Sequence, residues 1–151
     1  MPLTEAIGLA TASAKSAGGP FGAIVITKDG QHFQGTNQVT TLNDPTAHAE
    51  VQAIRAAATE TGFDLSGATL YTSCQPCPMC LTAALWARID RVVYAANQKD
   101  AADAGFDDSE FYRQLSGGLD TVTDMEIVED PHPSRLEPFQ AWAENAQRTE
   151  Y

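Results

Sequence analysis

The sequence predicts an α/β chain: a mixed five-stranded sheet with helices on both faces, a three-layer αβα sandwich. Three observations lead there. Five short apolar or β-branched runs have strand length. Helix-patterned segments separate most of them, which implies crossovers between parallel strands. One pair is separated only by Lys28-Asp29-Gly30, a hairpin turn that adds an antiparallel pair.

Taken in order, Thr4 to Ser16 places Ile7, Ala10 and Ala14 at helical spacing, and Gly18-Gly19 ends the pattern. Phe21 to Thr27 contains Ala23-Ile24-Val25-Ile26 and reads as a strand, with His32 to Val39 returning beside it. Leu42 to Pro45 is a loop broken by Asn43-Asp44-Pro45. Thr46 to about Glu60 is a helix with Ala47, Val51, Ile54 and Ala58 apolar and Gly62 just past its end. Ala68 to Ser73 is a strand, Gln75-Pro76 a turn, and Cys77 to Ala87 an Ala/Leu-rich helix. Arg91 to Ala96 is a buried strand. Asp100 to Ala104 and Ser109 to Leu115 are short helices around Gly105-Phe106-Asp107-Asp108. Val122 to Val128 is the expected fifth strand. Pro131 and Pro133 then break the chain before a helix from Leu136 to Gln147.

With 151 residues and 43% apolar composition, the chain suits a single domain over 1–151 that needs no disulfides to fold. No apolar run approaches the roughly 20 residues of a membrane span. The N-terminus lacks the basic-then-apolar pattern of a secretory leader, so the expected compartment is the cytoplasm. Twenty acidic residues against nine basic ones give a net charge of −11. Nucleic-acid binding draws on Lys and Arg to neutralise phosphates, so a polyanionic partner is not expected. The acidity serves solubility, and it is also a feature of proteins from salt-rich habitats.

The chemistry concentrates in two places. His48-Ala49-Glu50 lies on the first turn of one helix, and Pro76-Cys77-Pro78-Met79-Cys80 opens the next. An imidazole and two thiolates are good zinc ligands, and a Cys-x-x-Cys pair at a helix start converges on one ion. Three protein ligands leave a fourth position for water, whose pKa zinc lowers toward neutrality. Glu50, two residues from the His, can take that water's proton without being a ligand. Each part has a plainer reading: a half-buried His, a redox or buried thiol pair, a solvated carboxylate. Cys74 leaves open a closed Cys₃His structural site, which would give Glu50 no task.

Together these motifs resemble the signature of the zinc-dependent nucleobase and nucleoside deaminases. Gly19-Pro20-Phe21-Gly22-Ala23, Asn37, Asn43 to Glu50 and Thr72 to Cys80 are similar to the branch holding guanine deaminases and tRNA adenosine deaminases. Trp86-Ala87-Arg88, Ala104-Gly105-Phe106-Asp107-Asp108, Pro138 to Trp142 and Glu150-Tyr151 resemble small bacterial zinc-dependent guanine deaminases of the cytidine/deoxycytidylate deaminase superfamily. Gln75 departs from the Glu that the family often carries, outside the metal set.

The resemblance implies a cytidine deaminase-like fold and one Zn²⁺ per chain on His48, Cys77 and Cys80. It implies hydrolysis of a free nucleobase, guanine to xanthine plus ammonia, by zinc-bound hydroxide, with Glu50 and Asp108 as the catalytic acids. Asn37 would donate to a base carbonyl, and the Ala49 backbone N–H would add a contact. Phe21 and Trp86 would flank the ring, Asp108 would read its N–H or amino donors, and Tyr151 would cap the site. A homodimer is implied, with the segment from about 131 to 151 swapped onto the partner. Related members act on cytosine, aminotriazines or tRNA adenosine, and a structural zinc module that only binds partners is the non-enzyme alternative.

Overall fold

The computed structural model describes all 151 residues, which form two compact units, Met1–Tyr112 and Arg113–Tyr151. The first carries α1 (Pro2–Ala14), β1 (Gly22–Ile26), β2 (His32–Thr36), α2 (Val39–Leu42), α3 (Ala49–Thr61), β3 (Thr69–Cys74), α4 (Pro78–Trp86), β4 (Arg91–Ala96) and α5 (Gln98–Asp103). A sixth helix, α6 (Ser109–Leu115), runs across the boundary. Helix starts and stops follow local chemistry. Pro78 enters α4 at its first turn, where a missing N–H costs nothing. Gly62 ends α3 with φ +94°. Asn97 and Asp100 close a capping box on α5.

The sheet has four strands in the order β2-β1-β3-β4. β1 is antiparallel to both neighbours, pairing Ile24 with Gln34 on one side and with Tyr71 on the other. β3 and β4 are parallel. The chain therefore leaves β2, passes over β1 through α3, and returns as β3 in the same direction as β2. That crossover gives β1 two antiparallel partners where the hairpin alone predicts one.

Alternation along β1 separates the layers. A Cβ on Gly22 would sit 2.4 Å from the Ala6 carbonyl oxygen of α1. Across the pair, Gly35 lies opposite Ala23, and its Cβ would sit 2.1 Å from the Ala49 carbonyl oxygen of α3. Two glycines on opposite faces thus let α1 and α3 press directly on the sheet. The face toward α3 and α4 holds the main core, where Ala23, Val25, Ala53, Leu70 and Ala84 are buried. Small residues dominate it, so these layers approach closely.

The expected fifth strand is absent: Val122–Val128 joins no ladder. Its first backbone donors are spent locally, since the N–H groups of Thr123 and Asp124 both go to Gln114 Oε1. Met125, Ile127 and Val128 are exposed. The short helix α2 replaces the expected end of the second strand. It follows from Asn37, whose Oδ1 accepts the Val39 N–H, and from Asn43, which stops the turn at φ +52°. In the second unit a 3₁₀ turn at Leu119–Thr121 precedes α7 (Glu137–Glu144), which buries none of its residues.

Candidate metal centre and active site

His48 is the residue that caps the start of α3, and Cys77 does the same for α4, both with extended backbones that turn into the helix. Cys80 follows one turn later and is fully buried. The two helix starts bring the three side chains together, with all ligand atoms within 4.8 Å of one another. His48 Nδ1 lies 3.6 Å from Cys77 Sγ and 3.4 Å from Cys80 Sγ. Zinc bonds of ordinary length at a tetrahedral angle require N···S edges of roughly 3.5 Å. The donors therefore fit zinc in kind and in spacing, leaving one vertex for a non-protein ligand. Cys74 stands apart. Its Sγ faces the Asn97 carbonyl at 4.0 Å, so the closed Cys₃His site is not built.

Of the two thiols, Cys77 is the one biased toward the thiolate that ligation needs. They share a proton: the hydrogen bond from Cys80, with help from His48, holds the Cys77 thiol down to about 4. The Cys80 thiol is correspondingly pushed up, by that same bond and by burial. The Cys77 hydrogen bond raises the His48 pKa, and burial opposes it. Cys74 is raised by burial, which keeps it a thiol.

Glu50 is the only charged residue the chain buries. Its Oε2 accepts from Cys80 Sγ at 3.4 Å and its Oε1 from Thr72 Oγ1 at 3.4 Å. Burial raises its pKa above the ordinary carboxylate range. A carboxylate beside three metal ligands, with a raised pKa, is suited to accept and return a proton.

A cavity of about 380 Å³ opens over this cluster, with His48, Glu50 and Cys77 in its walls. Phe21 lines it and packs edge-on against Phe106, ring centroids 5.0 Å apart. Asn37 lines it too. With Oδ1 bound to Val39, its Nδ2 remains as a donor. The Gly18-Gly19 turn is what lets the chain pass so near, since a Cβ on Gly19 would lie 3.0 Å from the Asn37 amide carbon. Asp108 enters from the loop before α6 and is held by Gln98, whose Nε2 donates to Oδ1 at 3.0 Å.

Three other expected site residues do not line the cavity of this chain. Trp86 does not line the cavity and is 66% exposed. It lies six residues beyond Cys80 on α4, which at 100° per residue turns it away from the inward face. Ala49 is buried in the core against Gly35; as the first helical residue its N–H has no partner within the helix. Tyr151 belongs to the second unit, where it stands edge-on to Trp142 at 6.3 Å. The sequence reading gave Thr72 no role although it opens the Thr72–Cys80 motif, and it missed Gln98 and Phe111. Gln98 carries no motif signal, and Phe111 sat in a helix without an evident target.

Comparison with known proteins extends the geometry. Residues 2–96 match the model of the cytidine and deoxycytidylate deaminase zinc-binding region. A guanine deaminase of Bacillus subtilis (strain 168) is 50% identical over 138 residues, covering 89% of this chain and 86% of that protein. A crystal structure of guanine deaminase from Bacillus subtilis superposes with a TM-score of 0.93 at 46% identity, covering 99% of this chain and 96% of that one. A tRNA-specific adenosine deaminase of Agrobacterium fabrum is 40% identical over 98 residues, covering 62% of this chain and 64% of that protein.

Proposed function

This chain belongs to the cytidine and deoxycytidylate deaminase family, and on that premise we propose that it is a zinc-dependent guanine deaminase. The reaction is hydrolytic: guanine and water give xanthine and ammonia. The C2–NH₂ bond breaks, and a C2–O bond forms in its place. The chain offers His48, Cys77 and Cys80 to one zinc ion. Bound there, zinc acts as a Lewis acid that makes water a competent nucleophile near neutral pH.

The chain's own groups do the rest. Glu50 takes a proton from the attacking water and passes it to the ring nitrogen beside the attacked carbon. It then delivers the water's second proton to the departing amine, and its burial raises its pKa above the ordinary carboxylate range, which suits a group that must hold and return a proton. Asn37 Nδ2 donates to the base carbonyl. Asp108 accepts from a ring N–H or amino donor. Phe21 covers one face of the ring, and the Ala49 N–H adds a contact at the start of α3. The observation that carries the substrate is the likeness to a guanine deaminase at 50% identity over 89% of the chain. The tRNA-specific adenosine deaminases match less of the chain, 98 residues and 62% of it for the Agrobacterium fabrum protein.

The same reading makes the enzyme a cytoplasmic homodimer acting as one deaminase domain over 1–151. The segment from about residue 131 onward crosses to the partner and brings Tyr151 over its site. Supporting this, Leu136, Phe139 and Trp142 on or beside α7 are 53%, 70% and 42% exposed, an apolar stripe in want of cover. No helix is long and apolar enough to cross a membrane.

An ammonia-release screen over guanine, cytosine, aminotriazines, adenosine in tRNA and free nucleosides tests the assignment. Guanine is expected to be the preferred substrate. Faster release from a pyrimidine or triazine would overturn the choice of base, and a zinc-loaded protein that releases ammonia from nothing would leave only a binding module.

A further inference from the structure

Asp108 reaches the cavity on a loop, yet a group that reads a substrate's donors must be held in one orientation. The geometry points to Gln98 as the positioning residue that sets Asp108, and through it the recognition of the base. This inference rests on the deaminase reading above.

Gln98 is fixed at two points. Its backbone N–H donates to Gln75 Oε1 at 3.2 Å, and its side-chain Nε2 donates to Asp108 Oδ1 at 3.0 Å. Gln75 is itself pinned, its N–H to the Ala96 carbonyl at 2.8 Å. The next residue, Pro76, receives the Tyr112 hydroxyl through its carbonyl. A chain of hydrogen bonds therefore runs from the loop of Cys74 and Cys77, through Gln75 and Gln98, to Asp108. The donor at Gln98 occupies one carboxylate oxygen and leaves Oδ2 for the ligand. The metal ligands and the base-reading carboxylate are thus tied in one frame. A neutral amide at position 98 suits this where a second acid would repel Asp108.

Two near-isosteric variants test the assignment. Gln98→Met keeps the side-chain length and removes the donor. Gln98→Glu keeps the shape and sets an acceptor against Asp108. The titratable groups around Asp108, namely His48 and Glu50 at the start of α3, Cys74 of β3, Cys77 before α4, the neighbouring Asp107 and Tyr112 of α6, are common to every variant. Zinc content and melting temperature establish that each variant folds.

With guanine, Gln98→Met is expected to lower kcat/KM about tenfold across the pH range, chiefly through KM, as for one hydrogen bond to a charged acceptor. Gln98→Glu is expected to lose more above neutrality and to recover toward acid, where the introduced carboxyl gains a proton and donates. In an Asp108→Asn background, Gln98→Met is expected to add little further loss. Wild-type kcat/KM in both variants, or losses that are fully additive with Asp108→Asn and carry no acid shift, would overturn the inference. If Gln98→Met fails to fold, the pH profile of Gln98→Glu decides alone. If the wild type deaminates a different base, the guanine reading fails and the same variants on that base still judge Gln98. A wild type inactive on every base overturns both.

Discussion

Glu50 sits at 5% exposure with a thiol on one oxygen and a hydroxyl on the other, and no cation pairs with it. Burying a carboxylate this way is costly, a cost for which the proposed proton-carrying role gives a reason. Glu50→Gln keeps the shape and cannot accept a proton. Turnover is expected to fall at least about 10²-fold while zinc is retained, as steady-state rates and metal analysis on the same sample would show. The same burial has a stability signature. Because the folded pKa is raised above the ordinary 4.5, the folded chain binds more protons than the unfolded one just above that pH. Stability is therefore lost as pH rises through the folded pKa. Metal-free Glu50→Gln is expected to melt above metal-free wild type at pH 7, with the gap closing toward pH 4. The thiols make a paired case. Cys77→Ala is expected to lose zinc and activity together, whereas Cys74→Ser keeps zinc, because Cys74 faces Asn97. Equal zinc loss in both would contradict the three-ligand site.

Between elements, the decisive residues are those with no side chain. Gly35 lets α3 lie against β2, and Gly22 lets α1 lie against β1. Gly35→Ala is expected to destabilise the fold by about 2–3 kcal/mol, since its Cβ would strike the Ala49 backbone and the helix must move. That shift displaces His48 and Glu50 on either side of Ala49, so zinc affinity is expected to fall as well. Gly22→Ala strains the opposite layer and is expected to lower the melting temperature with zinc affinity largely kept. Calorimetry and a zinc titration of the two variants separate the effects. The helices that carry the ligands were legible in the sequence because breakers and caps bracket them: Asn43-Asp44-Pro45 before α3, Gly62 after it, Pro76 and Pro78 at α4. The metal set was legible because ligand spacing is local. Asp108 was legible only through the resemblance. Gln98 was invisible, since its role depends on a pairing across the chain that no periodicity records. Trp86 does not line the cavity of this chain, because an aromatic residue near a motif says nothing of which helix face it occupies.

At the scale of the molecule, the C-terminal unit is where pattern and structure part. Val122 to Val128 has the length and apolar content of a strand, yet such content specifies what must be buried and not which edge receives it. In one chain its donors go to Gln114 instead. The same holds for α7, whose apolar residues were readable although their cover was not. Deleting residues from about Pro138 onward is expected to give monomers or aggregates without guanine turnover. Tyr151→Ala is expected to weaken turnover with the dimer intact. Light scattering and ammonia release on both proteins check this, and a dimeric, fully active truncation would contradict the swapped segment.

The placement of β1 between β2 and β3 has a consequence for the order in which the molecule comes together. The hairpin of β1 and β2 joins chain neighbours and can form early, while β3 must arrive at the other edge of β1 from the far side of α3. Pairings between distant parts of a chain are the slow ones. His48 lies before that journey and Cys77 and Cys80 after it, so the three donors meet only when the sheet is zipped. The centre is thus a late product of folding, and a half-formed chain has no pocket in which to hold a metal ion prematurely.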